Sequence, residues 1–408
     1  MSIPPSLCGG KFSASSLLFP GARVHYYPGM RILHLGKYYH PHNGGMETVL
    51  RNIAEGLLDS GDEVAVIAAG PGILPGGAEL AASGGRTGRL FGTPCLGQWF
   101  SQPLTWDLVH TLRRAVSDFQ PDLVHLHLPN PLGAAAWLAY GALEPGPHPV
   151  LAVWHHADMH RQKVGRIALR PLVRACLGRA AGISVSTQAL AEVSRELRGM
   201  ESKVRVIPFG IDQPVVDQAG ERATGPFLFV GRLVRYKGLG VLLKALDLVP
   251  DARLEIVGTG PREEYLRGLA QELGLGDRVE FLGRLSEPEL ARHLAGARAL
   301  VLPSLDAGET FGLVQLEAMA TGKAVIASDL PTGVTEVGRA GTTGLLVPPG
   351  DVQALGAALK RLQEDPGLAR DMGAAGKERY LERFTRDRMI TDLRRWYRDL
   401  ISSASPVV

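Results

Sequence analysis

The sequence predicts an α/β protein built from two doubly wound parallel-sheet domains that face each other across a cleft. Three observations carry this reading. Short, wholly apolar runs alternate with stretches of helical period along most of the chain. The alternation stops once, in a polar segment with Pro and Gly, and then resumes for a second stretch of similar length. Glycine, 50 of 408 residues, is abundant enough to serve many strand-to-helix turns.

In chain order, strands are expected at 30–36, 63–69, 122–128, 150–154, 182–187 and 203–208. Runs this uniformly apolar suit parallel strands covered on both faces. A helical period runs through Thr48–Leu58. Residues 70–100, rich in Gly, Pro and Ser, read as a long excursion or flexible loop. An N-terminal domain over 30–212 is thus expected, then a linker at 213–225 containing Pro214, Gly220 and Gly225. The second domain, 226–382, has strands at 227–231, 253–257, 278–282, 298–302, 324–328 and 344–347. Helices Arg262–Leu273 and Pro288–Leu294 lie between them. A closing helix at 383–408 carries Phe384, Ile390, Leu393, Trp396, Tyr397 and Leu400 at helical spacing, and is expected to cross back to the first domain. Residues 1–29, irregular and with Pro4, Pro5, Pro20 and Pro28, read as a disordered extension or the product of an upstream start codon.

Composition excludes several function classes. Apolar residues at 45% and charged residues at 21% argue against disorder. A net charge of +3 gives no electrostatic footprint for nucleic acid. The three cysteines, Cys8, Cys95 and Cys176, form no CxxC pair or zinc-type cluster, which points to a reducing compartment and no metal site. The longest apolar stretch, Pro131–Leu143, is 13 residues, against the roughly 20 that a membrane-spanning helix needs. A cytoplasmic protein is therefore expected.

Parallel α/β sheets bind ligands beyond the carboxyl ends of their strands, so the chemistry is sought there. After the first strand, Gly44 and Gly45 precede a helix, where backbone can approach an anionic group or merely turn. After 150–154 stand His155, His156, Ala157 and Asp158. A histidine here can hold a phosphate or sugar hydroxyl, or be a buried ring satisfied by a carbonyl. Arg166, Arg170 and Arg174 then form an i, i+4, i+8 stripe: a solvated helix face, or a surface for anionic lipid or a phosphate-bearing acceptor. After 227–231, Gly231-Arg232 and Lys237-Gly238 place a guanidinium fork and an ammonium point charge at one turn, with Arg235 as a spare cation. Such a pair can neutralise a pyrophosphate leaving group.

The most specific segment follows 298–302. Glu309 and Glu317 have seven residues between them, the first in a loop and the second about two turns into a helix. The amides of Phe311, Gly312 and Leu313 are expected at the helix start, facing phosphate or sugar oxygens. Glu317 can accept from a ribose diol, and Glu309 from sugar hydroxyls.

These residues resemble the family 4 retaining glycosyltransferases of the GT-B fold, over Met30 to about Leu400. The Glu309–Glu317 element is the most specific part; the Arg232–Lys237 turn, the Gly44-Gly45 loop and Val206–Asp212 agree with it. The resemblance implies that Arg232 and Lys237 bind the diphosphate of a nucleotide-sugar donor, and that Glu317 binds its ribose. It implies that Glu309 and the Phe311–Leu313 amides lie near the transferred sugar, that His156 is the cleft histidine, and that Gly45 closes over the donor. With two histidines side by side, His155 is open to the same role. The stretch from His156 to Lys163, with Leu330–Val334, is similar to bacterial surface-polysaccharide mannosyltransferases. The implied reaction retains anomeric configuration and delivers the sugar to a saccharide or lipid-linked acceptor, with peripheral contact at the inner membrane; no convincing DxD motif stands near the site, so no metal is expected, and no cofactor beyond the sugar-nucleotide substrate. Two other readings are a sugar-nucleotide epimerase of similar architecture and a non-catalytic sugar-nucleotide-binding protein.

Overall fold

The computed structural model describes residues 29–404, apart from 41, 43, 70–77, 83, 100–101, 160–162 and 216–224. All but Gly29 of the extension expected at 1–29, and most of the 213–225 linker, lie outside the described residues.

The N-terminal half runs β1 (Arg31–Leu35), α1 (Gly45–Asp59), β2 (Glu63–Ala69), β3 (Ala78–Ala81), β4 (Thr87–Thr93), β5 (Gln98–Trp99), β6 (Gln102–Pro103), α2 (Leu108–Phe119), β7 (Leu123–Leu128), α3 (Pro131–Leu143), β8 (Val150–His155), α4 (Lys163–Arg179), β9 (Gly182–Val185), α5 (Gln188–Val193) and β10 (Val204–Val206). The C-terminal half runs β11 (Phe227–Val230), α6 (Leu239–Asp247), β12 (Leu254–Val257), α7 (Glu263–Glu272), β13 (Val279–Gly283), α8 (Glu287–Gly296), β14 (Ala299–Leu302), α9 (Val314–Ala320), β15 (Ala324–Ser328), α10 (Gly333–Val337), β16 (Gly344–Val347), α11 (Val352–Glu364), α12 (Pro366–Arg383) and α13 (Arg386–Ala404).

Each half is built on one large open sheet, and β5 and β6 of the first half form a separate antiparallel pair. The first has the order β10-β9-β8-β7-β1-β2-β4-β3, parallel except for β3, and the second β13-β12-β11-β14-β15-β16, parallel throughout. Both orders reverse direction beside their first strand, so the switch points lie between β1 and β7 and between β11 and β14. Local sequence sets several helix starts. Asn130 accepts from the Gly133 amide at 3.0 Å, with Pro131 in the first turn. Ser286 and Glu289 form a capping box at α8.

Two elements differ from the sequence reading. Residues 70–100 are not all excursion: β4 is a parallel strand paired with β2 from Ala65↔Arg89 to Ala69↔Thr93. Its Gly88 and Gly92 hid the strand signal. Gly88 is there because a Cβ would lie 2.5 Å from the Val64 carbonyl. The strand expected at 203–208 is only Val204–Val206, an edge strand paired on one side.

The helix α13 crosses back and packs on the N-terminal domain. Leu393, Trp396 and Tyr397 are buried, each worth about 1.5–3 kcal/mol of burial. At Gly182 a Cβ would lie 2.9 Å from Trp396, so β9 approaches the helix too closely for any side chain. Arg394 pairs with the buried Asp62 at 2.8 Å, and Arg386 with Asp59 at 3.1 Å.

The domains also meet directly. Phe209 packs edge-on against Phe311 with ring centroids 4.8 Å apart, inside one apolar cluster that runs from the first sheet into the second. Arg51 of α1 reaches Glu287 of α8 at 2.7 Å. Glu336 of α10 accepts the Gln188 amide at 3.0 Å and also the Ala189 amide, at the start of α5.

Candidate active site

The C-terminal wall of the cleft is made at the β11/β14 switch point. Beyond β11 the chain makes a single 3-10 turn, Arg235–Lys237, ending at Gly238 with φ +72°. A Cβ at Gly238 would lie 1.8 Å from the Pro303 carbonyl oxygen. Glycine is therefore required twice over, for its dihedral and for the close approach that locks this turn to the loop after β14. The approach brings Lys237 Nζ to 2.5 Å from Glu309 Oε2, where Ser304 Oγ also donates at 2.8 Å. Both partners are nearly dry, with side chains 12% and 9% exposed. Arg232 stands at the same turn, exposed and without an ion pair among the described residues. Arg235 is exposed beside it.

The loop after Glu309 is a nest of free donors. Gly312 has φ +74°, and a Cβ there would lie 2.7 Å from Leu302. Among the described residues, the amides of Phe311, Gly312 and Leu313 make no backbone hydrogen bond. Amides left free around a left-handed residue form an anion-binding concavity. Leu313 caps α9, so Glu317 lies in the helix's first turn rather than two turns in. The helix starts later than its periodicity implies because Gly312 breaks helical dihedrals. Glu317 is half-buried and lines a cavity of about 510 Å³ together with Thr48, Arg51, Asn52, Asp212 and Glu287. Burial, and then the charge of Glu287, pushes its carboxyl up to about 7.

The N-terminal wall lies opposite. Gly44 caps α1 in extended conformation, and Gly45 faces the donor loop: a Cβ there would meet Leu313 Cδ1 at 3.8 Å. The two histidines after β8 diverge. His155 turns into its own domain, its Nε2 3.0 Å from Asp158 and 3.2 Å from Ser194 Oγ, and its Nδ1 3.9 Å from Glu196. Burial opposes ionisation of Asp158, but hydrogen bonds from His155 and Ser194 outweigh it and hold the carboxyl well below its usual range. His156 turns toward the cleft and stacks on Phe209 at 5.5 Å, which in turn contacts Phe311.

Sequence reasoning missed the surroundings of His156. His34, His125 and His127 lie inside the central strands β1 and β7, in positions read simply as apolar runs. His34 and His125 are register partners, and His125 and His127, two apart, share a sheet face. His127 Nδ1 is 3.0 Å from His156 Nε2, and His127 Nε2 is 3.1 Å from His34 Nδ1. Tyr397 of α13 reaches His125 Nδ1 at 2.6 Å. Burial depresses all four imidazoles, His127 to about 3. Ring nitrogens of His34, His125 and His127 come within 4.8 Å of one another. Both nitrogens of His127 are already used between rings, so a metal bound by all three would have to break that chain. The only sequence signal was His-x-His in β7.

The basic stripe on α4 has a third use that neither sequence reading anticipated. Arg170 donates to the Arg195 carbonyl at 2.8 Å, and Arg174 to those of Glu196 and Arg198 at 2.9 and 3.0 Å. These arginines hold the loop after α5. The side chain of Arg166 lies outside the described residues.

Two facing Rossmann-like domains, tied by a returning C-terminal helix, make a GT-B architecture. Residues 43–213 match the family model Glycosyltransferase Family 4, and residues 221–379 match Glycosyl transferases group 1. The chain is 34% identical to the D-rhamnosyltransferase WbpZ of Pseudomonas aeruginosa over 65% of this chain and 70% of that one. It is 28% identical to the O-antigen chain mannosyltransferase C of Escherichia coli over 92% and 100%. It is 31% identical to the phosphatidyl-myo-inositol mannosyltransferase of Mycobacterium leprae over 93% and 99%. Among solved structures, the sucrose-phosphate synthase of Thermosynechococcus elongatus superposes with a TM-score of 0.77 at 24% identity, over 91% of this chain and 99% of that one. The chain belongs to glycosyltransferase family 4, and it is a glycosyltransferase. None of these comparisons supports an epimerase or a non-catalytic binding protein.

Proposed function

We propose that this enzyme transfers a sugar, mannose first among the candidates, from a nucleotide-diphosphate donor to a saccharide or lipid-linked acceptor of cell-surface polysaccharide or glycolipid. The observation that carries the reading is the lock between the Arg232–Gly238 turn and the loop after β14, which joins Lys237 to Glu309 just ahead of the free Phe311–Leu313 amides, with Leu313 beside Gly45. A diphosphate bound there meets two cations and up to three N–H groups. Lys237 would exchange part of its contact with Glu309 for phosphate, freeing Glu309 for sugar hydroxyls. Glu317 reaches the ribose side through its cavity, and His156 meets the sugar or its phosphate from the opposite wall.

The reaction is read as retaining and independent of metal. The bond from the anomeric carbon to the phosphate oxygen breaks, and the acceptor oxygen bonds the same face. Its proton passes to the departing phosphate. Arg232 and Lys237 stabilise the charge that grows on that phosphate, and preorganised stabilisation of this kind is the main source of rate acceleration open to such a site. The relatives named above, a rhamnosyltransferase and two mannosyltransferases, support a deoxyhexose or hexose donor and a surface-polysaccharide or glycolipid acceptor.

The setting proposed is cytoplasmic, at the inner face of the membrane. Cys95 and Cys176 are both free, which suits a reducing compartment. No helix among the described residues is long and apolar enough to cross a bilayer. Leu96 and Trp106, each 73% exposed, are an apolar surface suited to peripheral contact.

The test is a thermal-shift panel with UDP, GDP, ADP and their sugar conjugates, followed by product analysis. A ligand that binds only the native state raises the midpoint by mass action. A shift with one nucleotide, an α-linked product from an α-linked donor, and turnover unchanged in EDTA are expected. No shift with any nucleotide, or an inverted product, would overturn the reading.

A further inference from the structure

The buried imidazoles form a hydrogen-bonded line, His34–His127–His156, with contacts of 3.1 and 3.0 Å, running from the middle of the first sheet to the cleft. Aromatic packing fixes the rings: His127 stacks on His156 at 5.3 Å and on Trp154 at 6.4 Å, and His156 stacks on Phe209. Packing of this kind holds the ring planes in place.

Three neutral rings in line admit two polarities. In the first, His156 Nε2–H donates to His127 Nδ1, and His127 Nε2–H donates to His34 Nδ1. The His34 proton is then on Nε2, an atom that is buried and without a partner among the described residues. In the second, His34 Nδ1–H donates to His127 Nε2, and His127 Nδ1–H donates to His156 Nε2. Only a lone pair is then unmatched at His34 Nε2, and His156 carries its proton on Nδ1. A buried N–H with no acceptor is the rarer defect in folded proteins. His125 stands beside this line without entering it: its Nδ1 meets the Tyr397 hydroxyl at 2.6 Å, and its Nε2 is buried and without a partner among the described residues.

We propose that His127 and His34 are positioning residues that hold His156 as the Nδ1–H tautomer, a fixed hydrogen-bond donor toward the sugar nucleotide. The proposal rests on the reading that His156 faces the donor. With its other nitrogen engaged from behind, His156 can donate to a phosphate or sugar oxygen but cannot present a lone pair in its place. The array thus makes the N-terminal wall a neutral donor, matched to an electron-rich ligand, without placing a charge in a dry core.

Long-range proton–nitrogen NMR of the full chain with ¹⁵N-labelled histidine distinguishes protonated from bare ring nitrogens; His156 is assigned by its loss in His156→Ala. The expected result is Nδ1–H at His156 in the wild type, a tautomer mixture in His127→Phe, and retention in His127→Asn, whose side-chain amide can still donate. Turnover should fall about 10–100-fold in His127→Phe, the range seen when a group that orients a functional histidine is lost, and recover in His127→Asn. A bare Nδ1 at His156 in the wild type, or a His127→Phe protein with unchanged tautomer and turnover, overturns the proposal. Should His127→Phe not fold, the wild-type and His127→Asn spectra decide alone. The spectra need no turnover, so they separate this proposal from the donor-site reading, which wild-type turnover in His156→Ala would sink.

Discussion

At the switch point of the C-terminal domain the polar groups stand on loops beyond the strand ends; at that of the N-terminal domain they stand inside the strands. Arg232, Lys237, Glu309 and the Phe311–Leu313 amides are charged or free, and within reach of the cleft. His34, His125 and His127 are fully enclosed and held neutral by burial, with His34 bonded to His127, His127 also to His156, and His125 to Tyr397. On the function proposed above, the difference follows from what each wall would meet. A diphosphate would bring charge to be matched at the moment of binding, so its partners would need access. A histidine that only donates would need a rigid, dry support, and strands hold a side chain more precisely than loops do. One topology therefore supplies a charged wall and a neutral wall from the same two positions.

The comparison can be broken most directly on the charged side. Arg232→Ala and Lys237→Ala should each slow transfer by about 10²–10³, the usual cost of removing one donor to a developing oxyanion. Steady-state rates near wild type in either variant would erase the distinction between the walls. Next comes Gly238→Ala. Its left-handed dihedral and the 1.8 Å clash with the Pro303 carbonyl should cost about 2 kcal/mol or more, read as a lower unfolding midpoint with weaker donor binding. An unchanged midpoint would mean that the lock between the two loops is dispensable.

Glu317 sharpens the comparison through pH. Its carboxyl is raised in the fold to about 7, from an ordinary 4.5. A raised carboxyl opposes folding once ionised, so the ligand-free protein should lose stability as pH climbs from about 4.5 to 7. Glu317→Gln should therefore raise the ligand-free midpoint at about pH 8, leave it unchanged at about pH 4, and weaken nucleotide binding about tenfold through loss of a charged acceptor. Equal midpoint changes at both pH values would contradict this. The smallest effect is expected at the interdomain pair Arg51–Glu287. The Glu287 side chain is 80% exposed, and such pairs contribute about 0–1 kcal/mol. Arg51→Ala should leave turnover within about twofold; a large loss would make this pair a working latch and not a surface contact.

The charged wall was legible in the sequence because its parts are contiguous. Residues 231–238 and 303–317 are two short segments, each directly after an apolar run, and strand ends are where ligands sit. The neutral wall was not legible. It is assembled from β1, β7, the turn after β8 and α13, and only strand register brings His34 beside His125. Single histidines in apolar runs carry no local mark of this. The two sheets were likewise readable from periodicity, except for β4, whose glycines answer to a neighbouring carbonyl rather than to a turn. The start of α9 was misplaced because Gly312 sits inside an otherwise helical pattern. The α4 stripe misled because spacing shows which residues share a face, not which carbonyls they will find there.

The returning helix α13 gives chain synthesis a particular order. Tyr397 and Trp396 roof the sheet face that holds His125, and Arg394 neutralises the buried Asp62. Everything they cover is translated first, yet the whole C-terminal domain must emerge before the cover exists. Domains usually complete themselves as they leave the ribosome. Here the first domain waits, with a partly open polar core, for a helix that follows the whole second domain, so the wall encoded first is the one completed last.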